Sequence, residues 1–423
     1  QLSLSQAHPS HWNYLAEGSS SLVCTYAGPS KVFTRRVLRL RKTAVCRQPS
    51  TDSVLASDDT GSGESTVRAW QEEVIARLLP RDALPQLDLV TVDPDSLRAL
   101  EAALSNQSRH RRPNDRLDLV ARSAVLAQDV VSGESIAVEI KPKCGFLPSP
   151  VHLSPSTARI KLHHCRYCMH SLVRLSFPAS FPSPALPLPT TTREHYCPLD
   201  FYSGDEHRVR RALEQLWELW LRTQGKGNNF RVFVRGERVD PADVASLVEA
   251  LDDLAPAKNA LIQRLLPLLL KSPILGLLKQ LQRTLDPLDI DGLSALHQSM
   301  YPDLPLGYGQ TQPEIDEWKT LVESWLAHQM PEEPEKKLRY YVLAYTLSAT
   351  FKDCSLIVHL PIAAAGQWER RREGGGIQRG VEGKVWVVDT DVKKVSKLGK
   401  WAELDREIVS VFSRLDVTDR CVE

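Results

Sequence analysis

No sign of charge dominates this chain: 53 Lys and Arg stand against 52 Asp and Glu, a formal net charge of +1 over 423 residues. That balance excludes a generally basic surface of the kind that binds nucleic acid or anionic membrane, and no stretch interleaves aromatic and basic residues as a stacking platform for single strands. An uninterrupted apolar run is lacking too. The longest, NALIQRLLPLLLKSPILGLLKQL at 259–281, is broken by Arg264, Pro267, Lys271 and Pro273, whereas a bilayer-spanning helix needs about 20 apolar residues. It reads as a pair of core or interface helices, so neither nucleic acid nor membrane is expected as a partner. No secretory leader is visible, the chain opening on Gln1, and no internal repeat is found. Eight cysteines are scattered, several inside apolar runs where a free thiol packs as a small hydrophobe. A reducing compartment without structural disulfides is the simpler reading.

What is present is ample apolar material, 42% of residues, in a chain too long for one hydrophobic core. Two or three lobes are expected. A Gly/Ser loop, EGSSSLV at 17–23, leads into a β-prone run from Leu22 to Tyr26. A second run, Val37 to Leu40, alternates apolar residues with Arg39 and Arg41, and the pair reads as a hairpin with a loop at its mouth. Ser53 to Glu64 reads as a loop, Thr66 to Leu79 and 96–105 as helices, and 122–131 as a buried strand. Between 175 and 198 the chain is too proline-rich for regular structure. Asp205 caps a helix with Val209, Leu213, Leu216, Trp217 and Trp220 on one face, closed by Gly225. Further helices fill 241–328. The stretches 338–350, 354–361 and 384–390 read as strands, 368–380 as a loop and 401–415 as a helix.

Charge is concentrated where it is least expected. VEIKPKCGFLP at 138–148 alternates apolar residues with Glu139, Lys141 and Lys143. On one extended strand those lysines would share a face about 7 Å apart, so they need an anion between them or, in the plainer reading, solvent around them. VVDTD at 387–391 ends an apolar strand in carboxylates, with four lysines following in KKVSKLGK. Carboxylate oxygens at a strand end suit a hard cation such as Mg²⁺, which makes Asp389 either a metal ligand or a turn residue. Asp353, in TFKDCSLIV, falls between two runs taken as strands. It is an ordinary turn residue or a group that accepts a proton from an attacking hydroxyl and shares the metal. EGSSSLV, with Arg39 on the following strand, has the small residues of a phosphate-covering loop. HHCRYCMH at 163–170 holds a C-x-x-C flanked by histidines. With no second ligand pair at a standard zinc spacing, cysteine packing beside a functional His170 is the reading taken.

EGSSSLV, VLRLRK, VEIKPKCGFLP, CRYCMH, YCPLDFYSG, NNFRVF, KDCS and DTDVKK with AELDREIV run in one order from residue 12 to about 410. In that order and content the chain resembles the inositol-pentakisphosphate 2-kinases. The resemblance implies an α+β, kinase-like two-lobed fold: a small β-rich N-lobe over 1–130 and a larger C-lobe over 131–423, with a mainly helical inositol-phosphate-binding region roughly within 150–340. It implies ATP and Mg²⁺ as cofactors, and transfer of the γ-phosphoryl group to the 2-hydroxyl of inositol 1,3,4,5,6-pentakisphosphate to give inositol hexakisphosphate. By matching motif, Asp353 falls on the catalytic base and a metal contact, and Asp389 on the metal ligand. Lys141, Lys143, Arg116, His170, Arg174, Asn229, Lys393, Lys397 and Trp401 fall on substrate-binding positions. Gly18, Ser19, Ser20, Ser21, Val23, Arg39, Gln128, Asp129, Glu139 and Arg231 fall around the nucleotide. A monomer acting in nucleus, cytoplasm or both is expected.

There are departures from the family pattern. Ser19, Ser20 and Ser21 replace a loop usually richer in glycine, Lys397 stands for an arginine and Trp401 for a tyrosine. Plant members hold a structural zinc between the NNxRVF and KDCS motifs, and no cysteine lies between Cys197 and Cys354 here. Two alternatives stay open at this level: a kinase of another inositol phosphate, and a catalytically inactive inositol-phosphate sensor or scaffold, against which the intact Asp353 and Asp389 speak.

Overall fold

The computed structural model describes residues 2–18, 21–44, 64–105, 107, 115–176, 195–251, 256–362, 383–415, 417 and 419–423. Ser19, Ser20, residues 53–63 of the loop expected at 53–64, the loop expected at 368–380, and residues 177–194 of the proline-rich 175–198 stretch lie outside them. The chain is α+β, with two antiparallel sheets and many helices.

The first sheet contains β1 (Trp12–Glu17), β2 (Ser21–Tyr26), β3 (Arg36–Ala44), β4 (Leu87–Thr91), β5 (Asp115–Leu117) and β6 (Ser123–Gln128), in the order β1-β2-β3-β6-β4 with β5 on β3. The alternation read in the sequence is visible in β2, where Leu22, Cys24 and Tyr26 turn inward. They pack with Trp12, Leu38 and Leu40 against Leu97, Leu100 and Leu104 of the helix Pro94–Leu104, which Asp93 caps by accepting from the Ser96 N–H. The helical stretch from Glu64 to Arg77 passes through one π-type turn at Trp70–Val74.

The second sheet contains β7 (Ser135–Ile140), β8 (Phe230–Val234), β9 (Glu237–Val239), β10 (Ser355–Pro361) and β11 (Lys384–Val388), in the order β11-β10-β7-β8-β9. One face packs on the largest core, built with the helices Glu206–Arg222, Ala257–Lys271, Ile274–Thr284 and Pro334–Asp353. The other meets the first sheet across Leu15, Val130, Val131, Ala137, Phe233 and Ile357, with Val23, Val37, Trp386 and Val388 half-buried around them. Pro267 is accommodated within its helix and the break falls at Pro273. No single described helix is long and apolar enough to cross a membrane.

One element differs in kind from the sequence reading. Residues 338–350 are not a strand but the heart of the 20-residue helix Pro334–Asp353. Leu338, Val342, Leu343, Thr346, Leu347, Thr350 and Phe351 are all buried, so apolar residues surround the axis and the one-sided stripe that marks an amphipathic helix is lost. Its valine, tyrosine and threonine content imitates a strand, but thirteen residues exceed the usual strand length of about 3–10.

Candidate active site

Antiparallel register brings four chain ends to one edge of the second sheet. Ile140, the last residue of β7, pairs with Leu356 near the start of β10 and with Phe230 at the start of β8, while Ser355 pairs with Val388 at the end of β11. The residues just beyond those ends, Lys141, Asn229, Asp353 and Asp389, therefore converge.

Their side chains form an ion-pair web. Lys141 donates to Asp389, and Asp353 accepts from Lys143 Nζ at 2.9 Å and from Lys393 Nζ at 2.7 Å. Two sequence expectations are corrected here. Lys141 and Lys143 do not share a strand face, since β7 stops at Ile140 and Lys143 adopts φ +67°. Asp353 closes a helix rather than joining two strands. The anions between the lysines are, in this state, the protein's own carboxylates. Asp389 also has a left-handed backbone, φ +60°, and holding two such residues costs about 1–3 kcal/mol each. That strain sits at the residues that aim the charges.

Burial opposes the charge of Asp353, as does its place at the negative end of a helix, yet Lys143 and Lys393 hold its carboxyl well below the usual carboxylate range. Burial likewise works against the Lys141 ammonium, and Asp389 and Glu139 outweigh it and raise its pKa. Glu139, the one charged residue of buried β7, accepts from Arg231 at 2.9 Å across the strand pair and from Ser355 Oγ at 2.8 Å. Burial would raise its pKa, and Arg231 and Lys141 bring it below the ordinary value.

The first sheet reaches the same edge through Arg39. It lies opposite Val23, its guanidinium gripping both carboxylate oxygens of Asp391, with Nη1 to Oδ1 at 2.7 Å. Gly18 N–H donates to Ser21 O at 2.9 Å, and Lys42, almost fully buried with Glu17, donates to Gly18 O at 2.7 Å, so the Gly/Ser loop is anchored from below. Gln128 and Asp129 sit where the first sheet hands over to the second. The Asp129 carboxylate is taken up by Thr25 Oγ1 at 2.6 Å and by the N–H groups of Val131 and Ser132, which makes it a brace for the crossing chain.

His170 and Arg174 project from the helix Arg166–Ser176. Burial and the charges of Arg166, Arg174 and Lys143 bring the His170 pKa down to about 4, so this helix adds to the positive potential around Lys143. Asn229 is buried, its Nδ2 donating to Lys141 O at 3.0 Å, and so it fixes the lysine's backbone. Lys397 is exposed at the start of the helix Leu398–Phe412, and Trp401 is half-buried with its ring 6.3 Å from that of Tyr345. Arg116 lies exposed on β5, opposite Thr43, on the first sheet.

Sequence reasoning missed the residue that joins these parts. Gln282, fully buried, accepts from Gly145 N–H at 2.9 Å and donates to Phe351 O at 2.9 Å, Lys143 O at 3.2 Å and Tyr202 Oη at 3.2 Å. It thus locks the lysine turn to the helix end that carries Asp353. Gly145 is required there because a Cβ would meet the Tyr202 ring at 2.2 Å. Asp391, Lys42, Lys161 and Asp405 were missed as well. The last two form a buried pair, with Arg166 also on Asp405. No local pattern marks an internal glutamine or a buried lysine, so only the tertiary fold reveals them.

The edge gathers four cations (Arg39, Lys141, Lys143, Lys393) against three carboxylates (Asp353, Asp389, Asp391). Asp353 and Asp389 keep 46% and 42% of their side-chain surface exposed. Such a set can bind polyanions through the cations and a hard divalent ion through the carboxylates.

Residues 14–407 match the sequence family described as Inositol-pentakisphosphate 2-kinase. An inositol-pentakisphosphate 2-kinase of Cryptococcus neoformans var. neoformans serotype D is 33% identical over 419 residues, 95% of this chain and 92% of the relative. The Arabidopsis thaliana inositol-pentakisphosphate 2-kinase is 26% identical over 470 residues, covering 100% of this chain and 98% of its own. That of Danio rerio is 28% identical over 283 residues, 62% of this chain and 52% of the relative.

Proposed function

The chain belongs to the inositol-pentakisphosphate 2-kinase family, and we propose that its reaction takes place at the edge where Lys141, Lys143, Lys393, Asp353 and Asp389 converge. The protein is an ATP-dependent kinase that phosphorylates the 2-hydroxyl of inositol 1,3,4,5,6-pentakisphosphate and yields inositol hexakisphosphate. The observation that carries the placement is the meeting of three lysines, from two remote segments, on two carboxylates.

Lys143 and Lys393 turn from Asp353 to the phosphates of the substrate, joined by Lys141, His170, Arg174 and Lys397, with Arg116 reaching from the first sheet. Relieved of two ammonium groups, Asp353 regains basicity, and in that state it orients the attacking hydroxyl and accepts its proton. Asp389 and Asp353 are hard oxygen donors with accessible faces, so they fit Mg²⁺, which supplies charge neutralisation on the transferring phosphoryl group when bound. Asn229 acts through the Lys141 backbone, and Trp401 as an apolar wall beside Lys397. The nucleotide lies between the two sheets, beside Gly18 and Ser21 and against Val23. Arg39 and Arg231 supply positive charge there, Glu139 orients Arg231, and Gln128 and Asp129 hold the crossing chain. In this reading residues 1–130 are the N-lobe and 131–423 the C-lobe of a kinase-like two-lobed monomer, working in nucleus, cytoplasm or both.

The test is incubation of the purified protein with ATP, Mg²⁺ and inositol pentakisphosphate, with products resolved by anion exchange. Wild type is expected to give the hexakisphosphate and Asp353→Asn to give almost none. Wild-type turnover in Asp353→Asn would remove Asp353 from the chemistry.

A further inference from the structure

A helical stretch that lies between β3 and β4 in the chain is built into the larger core. Trp70, Val74 and Ile75 of Glu64–Arg77, with Leu78 and Leu79 beyond it, belong to the cluster of the second sheet and its helices rather than to the one beneath the first sheet. The stretch is fastened to the helix Ile315–Leu326 by Lys319 on Glu73 at 3.0 Å and by Arg77 on Glu323 at 2.9 Å. Its π-type turn begins at Trp70, and such turns recur at functional sites. Trp70 is buried, its ring edge-on to that of Trp318 with 5.1 Å between centroids, and its indole N–H donates to Thr390 O at 2.7 Å. Thr390 stands between Asp389 and Asp391. The next carbonyl, that of Asp391, accepts from Thr350 Oγ1 at 3.1 Å, and Thr350 is fully buried on the helix that ends at Asp353.

We infer that Trp70 and Thr350 are positioning residues, which hold the turn 389–391 through two consecutive carbonyls and so aim the Asp389 carboxylate at the divalent ion. Their role rests on the metal ligation proposed for Asp389. Asp389 has a left-handed backbone, φ +60°, a conformation that a non-glycine residue keeps only where its surroundings over-determine it. The two donors supply that constraint. Relaxing Asp389 would swing the peptide units that follow it and leave buried donors and carbonyls without partners. Both side chains are buried, so they act through the peptide units and not by touching substrate. The arrangement also gives the two carboxylates of the proposed reaction a common frame. Thr350 lies three residues before Asp353, close to one helical turn, so the segment that carries Asp389 is referred to the same helix end that carries Asp353. Trp70 adds a second point of reference from the segment that joins β3 to β4.

The experiment uses the whole chain with ADP, titrated with Mn²⁺ as the probe for the Mg²⁺ site and followed by electron paramagnetic resonance. Trp70→Phe keeps an aromatic ring and removes the N–H; Thr350→Val keeps the shape and removes the O–H. Each should weaken Mn²⁺ binding about 3–10-fold, the worth of one hydrogen bond, and turnover lost at low Mg²⁺ should return when Mg²⁺ is in excess. Thr350→Ser keeps the hydroxyl and loses a buried methyl group. It should be less stable to heat than wild type yet bind Mn²⁺ as wild type does, an order that packing alone would reverse. Hydrogen exchange across 389–393 should rise in Trp70→Phe and Thr350→Val while β1–β6 keep their protection. Wild-type Mn²⁺ affinity in both of those variants, or Thr350→Ser as weak as Thr350→Val, would overturn the inference. Should Trp70→Phe fail to fold, the two Thr350 variants decide the matter. Undiminished Mn²⁺ binding in Asp389→Asn would remove the metal assignment instead, and the exchange of 389–393 then decides the positioning role alone: faster exchange in the two variants supports it and unchanged exchange ends it.

Discussion

Asp353 keeps its charge under opposed pressures, burial and a helix end against two ammonium groups, and the balance falls far to the ionised side. Replacing it with asparagine keeps the shape and removes the proton acceptor proposed for the reaction. Turnover should fall by about 10²–10⁴-fold while calorimetry finds substrate binding retained. On the proposed placement, Lys143→Ala deletes one charge-assisted contact to the substrate of about 1–3 kcal/mol. Steady-state kinetics should show a KM for the inositol phosphate raised about 5–100-fold, and a much smaller change for ATP. A third expectation concerns pH. His170 and His195 are both lowered from 6.5 to about 4, each mainly by burial. A depressed histidine contributes stability that is complete above its unfolded value of 6.5 and lost as pH falls toward 4. The thermal midpoint should drop across that window, and His170→Gln with His195→Gln should make the drop shallower; an unchanged slope would contradict the assignment.

Strand and helix ends do the positioning, and here the sequence was unevenly legible. The charged terminations of β7 and β11 could be read because polar residues interrupt apolar alternation at Lys141 and Asp389, and the Asp205 cap at Glu206–Arg222 stands as expected. The helix Pro334–Asp353 could not, since burial on all sides removes the periodicity that distinguishes helix from strand. Gln282 was invisible for another reason: its partners, Lys143, Gly145, Tyr202 and Phe351, are remote in sequence and mostly backbone atoms. Gln282→Leu should leave the Gly145 N–H and two carbonyls buried without partners, costing about 1–3 kcal/mol for each unsatisfied group. Thermal denaturation should show a clear loss of stability, and at temperatures where the variant remains folded the substrate KM should rise more than the ATP KM.

Across the molecule, one side-chain pair ties the first sheet to the carboxylate edge of the second: Arg39 on Asp391, beside the half-buried cluster of Val23, Val37, Trp386 and Val388. Arg39→Met keeps the stem and removes the fork. It should lower kcat/KM for ATP about tenfold or more, in line with the loss of a charge-assisted bidentate contact. The near-zero net charge concealed this arrangement from composition alone, because the cations are balanced locally by the acids they pair with. That internal balance has a thermodynamic corollary. Each lysine that leaves for a phosphate uncovers an oxygen that a divalent ion can take, so occupancy of one ligand should sharpen appetite for the other. By reciprocity, Mg²⁺–ATP titrated into protein already saturated with inositol pentakisphosphate should bind more tightly than into the empty protein, by the same factor that nucleotide strengthens the sugar.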